Sequence, residues 1–195
     1  YLRKFAGHVH DFRPGSIMLS CEGTAQAWQS LFSEREPHAV LVSIGAENTQ
    51  VCLVDNGEVA HAALLSTTMG DLTPSGDDTE AEPSTHLLER FAQDMKTILE
   101  SFGWNGSSRW PILVLSDGGP ALARIVESLN AAGLPARASV PDTRRLKTPS
   151  GFTTQDLYEY RTPLGLSLLA LEKPSAALNL FVRIAEQEQQ EKTIS

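Results

Sequence analysis

Apolar and β-branched residues dominate the chain from residue 39 to residue 65, and short polar breaks divide this stretch into three runs. The runs are residues 39–44, 50–54 and 59–65. Asn56 and Gly57 stand between the second and third runs. An Asn-Gly pair between two β-rich runs is a strong hairpin signal, because both turn residues need positive φ. The pattern therefore predicts three antiparallel strands in a meander.

A helical spacing of apolar residues replaces this pattern further along the chain. It predicts a long helix over residues 84–103 and a second helix over residues 120–132. Between the two helices, residues 112–115 form a short, fully apolar run that is typical of a buried strand. Residues 136–140 follow the second helix, and we expect them to return as a parallel strand.

The two ends of the chain give weaker patterns. Residues 25–32 have a helical pattern, and residues 141–161 are polar and irregular. Residues 163–171 carry leucines on every face, which predicts a helix buried on all sides, with its N-cap at Thr162. Residues 178–182 predict a last short strand, and residues 186–195 form a polar tail.

Small, turn-forming and acidic residues fill the chain from residue 66 to residue 83, which predicts a loop. Within it, residues 74–83 hold four carboxylates between two prolines. Like charges this close repel one another and bury nothing, so we expect this acidic segment to be flexible and exposed. The order of elements as a whole predicts an α/β fold, with a mixed sheet and flanking helices.

Composition narrows the class of protein. The chain has 195 residues and a formal net charge of −8, with no dense run of Lys or Arg, which argues against nucleic acid as a partner. Cys21 and Cys52 are too few for a disulfide framework, so a reducing compartment fits. No apolar run approaches the roughly 18 residues of a membrane span, so we expect no membrane insertion. The start at Tyr1 predicts a fragment cut from a longer chain.

Side chains with catalytic or metal-binding chemistry are sparse. His8, His10 and Asp11 have the residue types of a metal site, but no third or fourth ligand follows at a matching spacing, and exposed polar residues are the alternative. The acidic segment lacks the positions of a calcium-binding EF-hand loop. Neither a nucleophile elbow nor a P-loop nor a dinucleotide-binding glycine motif occurs. We therefore predict no catalytic and no metal-binding residues.

Two glycine turns remain that can hold a phosphate or a nucleoside through the backbone. They are residues 44–49, between two strands, and residues 116–119, between a strand and a helix. Glycine lets a ligand approach without a Cβ in the way, and a helix N-terminus favours an anion. Ordinary turn glycines are the alternative. The candidate nucleotide-binding residues in these turns are Gly45, Thr49, Ser116, Gly118 and Gly119, and the family resemblance given below adds Ser43.

Several segments, in this order, resemble the second half of an actin-like ATPase, and in particular the type IV pilus assembly family PilM. Residues 40–51 are similar to the second phosphate motif, and residues 112–121 are similar to the adenosine motif. Residues 67–73 partly match the exit of the meander in PilM. Residues 163–168 resemble the Ala-Leu-Gly-Leu-Ala helix of the family, and residues 178–180 resemble its closing Asn-Leu pair.

The resemblance, which covers roughly residues 15–182, implies a fold. Residues 1–195 would form a single actin-like, ribonuclease H-like lobe, the C-terminal half of a longer protein. In that lobe a three-stranded antiparallel meander is extended by parallel strands with flanking helices. Two departures imply a degenerate nucleotide site. Ser43 replaces the usual Asp, and a hydroxyl cannot hold a magnesium-bound water as a carboxylate can, while Asp117 replaces a glycine of PilM-like sequences.

The resemblance also implies a function. It is that of a PilM-like cytoplasmic scaffold, peripheral to the inner membrane, in a type IV pilus or related secretion platform. Its partner would be a membrane-anchored platform protein with a PilN-like tail. ATP and Mg²⁺ are implied for the full-length protein, and no cofactor is expected in this fragment alone.

Two other functions stay open at this point. One is the C-terminal half of an actin-fold sugar kinase or another ATP-dependent phosphotransferase, although no catalytic Asp stands at a matching position. The other is the cytoplasmic part of a GspL-like type II secretion protein, which a transmembrane segment after residue 195 would favour.

Overall fold

A computed structural model describes residues 19–31, 37–73, 85–104, 110–116, 119–134, 136–142, 146, 148 and 150–171. The strands within these ranges are β1 (Ala39–Ile44), β2 (Thr49–Asp55), β3 (Glu58–Leu65), β4 (Ile112–Leu115) and β5 (Ala138–Ser139). The helices within them are α1 (Ser20–Leu31), α2 (Met69–Leu72), α3 (Thr85–Ser101), α4 (Gly119–Ala131), α5 (Thr154–Glu159) and α6 (Arg161–Leu171).

The strands form one mixed sheet in the order β3-β2-β1-β4-β5. β1, β2 and β3 pair as an antiparallel meander, while β4 lies parallel to β1 and β5 lies parallel to β4. Asn56 and Gly57 have φ values of 52° and 85°, as the predicted hairpin turn requires. The predicted meander, its extension by parallel strands and the fold class are therefore confirmed.

Helices cover both faces of the sheet, which explains why all six residues of β1 are buried. On one face, α3 and α4 pack on the sheet through residues such as Phe91, Met95, Ile125 and Leu129. On the other face, α1 packs through Trp28, and α5 and α6 complete the layer. Alternate residues of β1 enter the two cores, because successive side chains of a strand point to opposite faces.

The prediction for α6 was wrong. This helix is not buried on all sides. Of its residues only Gly165 is fully buried, and Leu171 is 84% exposed. The leucines at 164 and 168 pack against the α1 side of the core, and the helix lies outside α1. Leucines on every face of a helix do not determine which face another element covers, so the prediction of burial on all sides did not follow from the pattern.

Two short helices were missed in segments predicted to be irregular. α2 lies in the predicted loop and α5 lies in the predicted irregular stretch. Both begin with a capping box. A threonine hydroxyl accepts a hydrogen bond from the backbone N–H of the aspartate three residues later, and the carboxylate of that aspartate accepts one from the threonine backbone N–H. The caps are Thr68 with Asp71 and Thr153 with Asp156, and these hydrogen bonds lower the pKa of each aspartate. The Thr-x-x-Asp spacing was the signal for both helices.

Several predictions concern residues outside the described ranges. They are the histidine motif near the start of the chain, the acidic segment 74–83, Asp117 and Gly118, the strand at 178–182 and the tail at 186–195. In the part of the chain that the structure describes, no helix is both long enough and apolar enough to cross a membrane.

Candidate functional site

A cleft of about 360 Å³ opens at the carboxyl end of β1. It lies where the turn after β1 meets the N-terminal ends of α1 and α6. The residues that shape its floor and walls include Ser20, Ser43, Gly45, Gln50, Arg161 and Thr162. The first glycine turn predicted from the sequence therefore lines a cleft.

The turn at the cleft is held by backbone hydrogen bonds. The Gly45 N–H donates to the Asn48 carbonyl at 2.9 Å, and the Met69 N–H donates to the Gly45 carbonyl at 2.8 Å. A Cβ on Gly45 would lie 3.1 Å from the Asn48 carbonyl oxygen, which is a tight contact. One hydrogen bond thus closes the turn, and the other connects it to the first residue of α2.

Thr49 does not line the cleft. Its side chain is fully buried, and its hydroxyl donates to the Thr67 carbonyl at 2.7 Å. This hydrogen bond ties the start of β2 to the chain that leaves β3. The assignment of Thr49 as a nucleotide-binding residue stays a prediction.

Ser43 is joined to Arg161, which the sequence analysis did not single out. Ser43 is 7% exposed, and its hydroxyl oxygen accepts a hydrogen bond from Arg161 Nε at 2.8 Å. Arg161 Nη2 donates to the same oxygen, and Nη1 donates to the Tyr158 carbonyl. A guanidinium therefore lies on the Ser43 hydroxyl.

Polar side chains connect α1, β2 and α6 along one wall of the cleft. Gln50 Nε2 donates to Ser20 Oγ at 2.7 Å, and the buried Thr24 hydroxyl lies 3.0 Å from the Thr162 hydroxyl. Just below this network, Gly165 of α6 packs directly on Gly23 of α1. The close packing of the two helices is what brings Arg161 over the end of β1.

Two carboxylates lie near this end of α1 and the turn. Glu47 lines the cleft and is exposed. Glu22 is buried, and burial raises the pKa of its carboxyl. The Leu19 N–H donates a hydrogen bond to this carboxyl at 2.6 Å, which opposes the rise in its pKa only in part. Glu47 is thus the one acidic side chain among the described residues that line the cleft.

Ser116, the first residue of the second predicted glycine turn, lies at the same edge of the sheet. β4 runs parallel to β1 with Leu115 opposite Ser43, so Ser116 leaves the sheet beside the cleft end of β1. Ser116 is buried but does not line the cleft, and Gly119 begins α4. Gly118 lies outside the described residues, so its assignment as a nucleotide-binding residue stays a prediction.

The two cysteines lie together and do not line the cleft. Both are buried between α1 and the sheet as free thiols. The hydrogen bond with Cys21, together with burial, raises the pKa of the Cys52 thiol, so it stays protonated at neutral pH. Among the described residues, no group of three or more His, Cys, Asp and Glu side chains is placed to hold a metal ion.

The sheet order and the helices on both faces define the fold of this chain. The chain has the fold of one lobe of an actin-like ATPase. A solved structure with this fold is that of the PilM-PilN type IV pilus biogenesis complex, with 18% sequence identity and a TM-score of 0.50. The similarity covers 78% of this chain and 51% of that chain.

A second similar structure is that of the ethanolamine utilization protein EutJ from Carboxydothermus hydrogenoformans. It has 15% identity and a TM-score of 0.49, and the similarity covers 76% of this chain and 53% of that chain. The present chain thus spans about half the length of these solved proteins. No protein-family model matches the chain. No curated protein matches it.

Proposed function

We propose that this chain is a lobe of an actin-like scaffold protein, which binds a partner and does not turn over ATP with a metal ion. The observation that carries the proposal is the contact between Arg161 and Ser43 in the cleft. The actin-like fold implies ATP and Mg²⁺, and the cleft is where the phosphates and the metal would lie.

The residues of the cleft do not fit Mg²⁺. This ion prefers carboxylate and phosphate oxygens, and it usually keeps several waters. The Ser43 hydroxyl is instead engaged with a guanidinium. Two unit positive charges about 4 Å apart repel by roughly 4 kcal/mol at an effective dielectric constant near 20, and a divalent ion is repelled more. The lack of a carboxylate at residue 43 argues against a metal-dependent phosphotransferase.

The proposed partner is a membrane-anchored protein of a type IV pilus or related secretion platform, with a PilN-like cytoplasmic tail. Two observations support this choice. The motif order of the sequence is similar to PilM, and a solved PilM-PilN complex has this fold. On this proposal the protein lies in the cytoplasm, peripheral to the inner membrane.

Calorimetry with Mg-ATP, together with a phosphate-release assay, tests the proposed lack of ATP binding and hydrolysis. We expect no binding tighter than a dissociation constant of about 10 μM, which corresponds to roughly −7 kcal/mol, and no release of phosphate over hours. The expected cause is the guanidinium on Ser43, together with the absence of a carboxylate at that position. Tight Mg-ATP binding with phosphate release would favour the phosphotransferase.

The binding role has its own test. A synthetic peptide with the sequence of a PilN cytoplasmic tail is titrated into the chain, and a scrambled peptide of the same composition serves as the control. Saturable binding of the first peptide alone supports the scaffold. Equal behaviour of the two peptides contradicts partner binding by this lobe.

A further inference from the structure

We propose that Cys21 and Cys52 are a redox modification site, at which a hydroperoxide or a small-molecule disulfide converts the two thiols into an internal disulfide bond. These are the only cysteines of the chain, and they lie far apart in the sequence. The fold brings both of them, as free thiols, into the same core. This site is independent of the proposed binding role.

The first turn of α1 is fixed on β2 beside the two cysteines. Gln50 Nε2 donates a hydrogen bond to Ser20 Oγ at 2.7 Å, and the Thr24 hydroxyl donates one to Gln50 Oε1 at 3.2 Å. Cys21 lies between Ser20 and Thr24 on the helix. Cys52 follows Gln50 by two positions, so both side chains point to the same face of the strand. These polar contacts therefore hold the helix against the strand next to the thiol pair.

The two thiols are in direct contact. Cys21 is 4% exposed and Cys52 is fully buried, and a hydrogen bond joins their side chains. A disulfide requires two sulfur atoms that can approach to about 2 Å without a large movement of the backbone. Because hydrogen-bonded sulfur atoms are already neighbours, rotation about the side-chain bonds is the main movement that formation of this disulfide requires.

The two sulfur atoms differ in their chemistry. The Cys52 thiol donates to the Cys21 sulfur and thereby lowers the pKa of Cys21, while burial and the Glu22 carboxylate oppose this change. The backbone N–H groups of Cys21 and Glu22, at the start of α1, lower the pKa of Cys21 further. The thiolate is the nucleophile in thiol oxidation, so Cys21 is the residue that attacks the oxidant and Cys52 is the residue that completes the disulfide.

The position of Cys21 in the first turn of α1 also gives an oxidant a route to it. The ends of helices open locally at a lower free energy than the core of a protein does. Cys52 lies in the middle of β2, which is paired on both sides, so it has no such route. The difference in access favours the same order of reaction as the difference in acidity.

The reaction with hydrogen peroxide has two steps. The Cys21 thiolate attacks one oxygen and the O–O bond breaks, which gives a sulfenic acid on Cys21 and hydroxide. The Cys52 sulfur then attacks the Cys21 sulfur, and the S–O bond breaks as hydroxide leaves. The two hydroxides take the two thiol protons, so two thiols and one peroxide give one disulfide and two waters. The thiol pair loses two electrons and the peroxide gains them.

Equilibration with a glutathione redox buffer tests the proposal. Cys21 displaces one glutathione from glutathione disulfide, and Cys52 displaces the second. The wild-type chain is equilibrated with the buffer once in its native state and once unfolded in urea, and mass spectrometry after acid quenching and alkylation measures the internal disulfide. We expect its equilibrium constant to be at least about tenfold larger in the native chain, because the fold has already brought the thiols together.

Three results of this measurement would overturn the proposal. They are an equal or smaller constant in the native chain, mixed disulfides with glutathione as the main oxidised product, and disulfide-linked pairs of chains as the main product. The measurement uses the wild-type chain, so it does not depend on whether a variant folds.

Cys52→Ala and Cys21→Ala test the assigned order of reaction. Each chain is treated with hydrogen peroxide in the presence of dimedone, which traps sulfenic acids. We expect Cys52→Ala to form the adduct on Cys21 at least about tenfold faster than Cys21→Ala forms one on Cys52. Equal rates, or a faster reaction of Cys52, would overturn the assignment of Cys21 as the attacking residue.

Discussion

Replacing Gly165 with alanine is expected to lower the free energy of unfolding by about 2 kcal/mol or more. A Cβ at this position would lie 1.7 Å from the Gly23 carbonyl oxygen and 2.9 Å from the Ala27 nitrogen. Both atoms belong to the backbone of α1, so no side-chain rotation relieves the clash. Alanine favours a helix over glycine by about 1 kcal/mol, and the clash outweighs this gain. Urea unfolding measures the difference.

Gly70→Ala is the matched control, since Gly70 also lies in a helix. A Cβ there would lie 3.6 Å from the Thr68 hydroxyl, which is an ordinary contact. We expect this substitution to leave the free energy of unfolding unchanged or to raise it by up to about 1 kcal/mol. A Gly165→Ala variant as stable as Gly70→Ala would show that α1 and α6 do not pack as described.

Phe91→Ala is expected to cost about 3–5 kcal/mol, because it leaves a cavity between α3 and the sheet. Phe91 is 1% exposed and belongs to the larger of the two cores. Phe152→Ala removes the same side chain at a position that is 39% exposed, before α5, and should cost about 1 kcal/mol or less. Similar losses in the two variants would contradict the placement of α3 on the sheet.

Local signals in the sequence were enough for most of the sheet. The apolar runs and the Asn56-Gly57 turn determine the meander, since these residues act on their immediate neighbours. The placement of α6 was missed because it depends on a long-range contact. Gly165 meets Gly23, which is far away in the sequence, and nothing in the local pattern of either helix indicates which partner it packs against.

The candidate site shows the same difference between local signals and long-range contacts. Ser43 lies near the end of β1 and Gly45 follows that strand, and both were selected from the sequence because they resemble a phosphate motif; both line the cleft. Arg161 lies 118 positions from Ser43, in a segment that was read as irregular. A single arginine is not part of a recognisable sequence motif. Its position at the cleft therefore becomes visible only once α6 is packed on α1. The hydrogen bond from the Thr49 hydroxyl to the Thr67 carbonyl is likewise a contact between distant segments that the local pattern does not indicate.

A crystal structure of this chain, grown with magnesium chloride, tests the central claim most directly. The claim predicts Arg161 Nε close to 2.8 Å from Ser43 Oγ at the carboxyl end of β1, without a metal on Ser43. A hydrated magnesium ion bound to Ser43, with Arg161 turned out of the cleft, would contradict it.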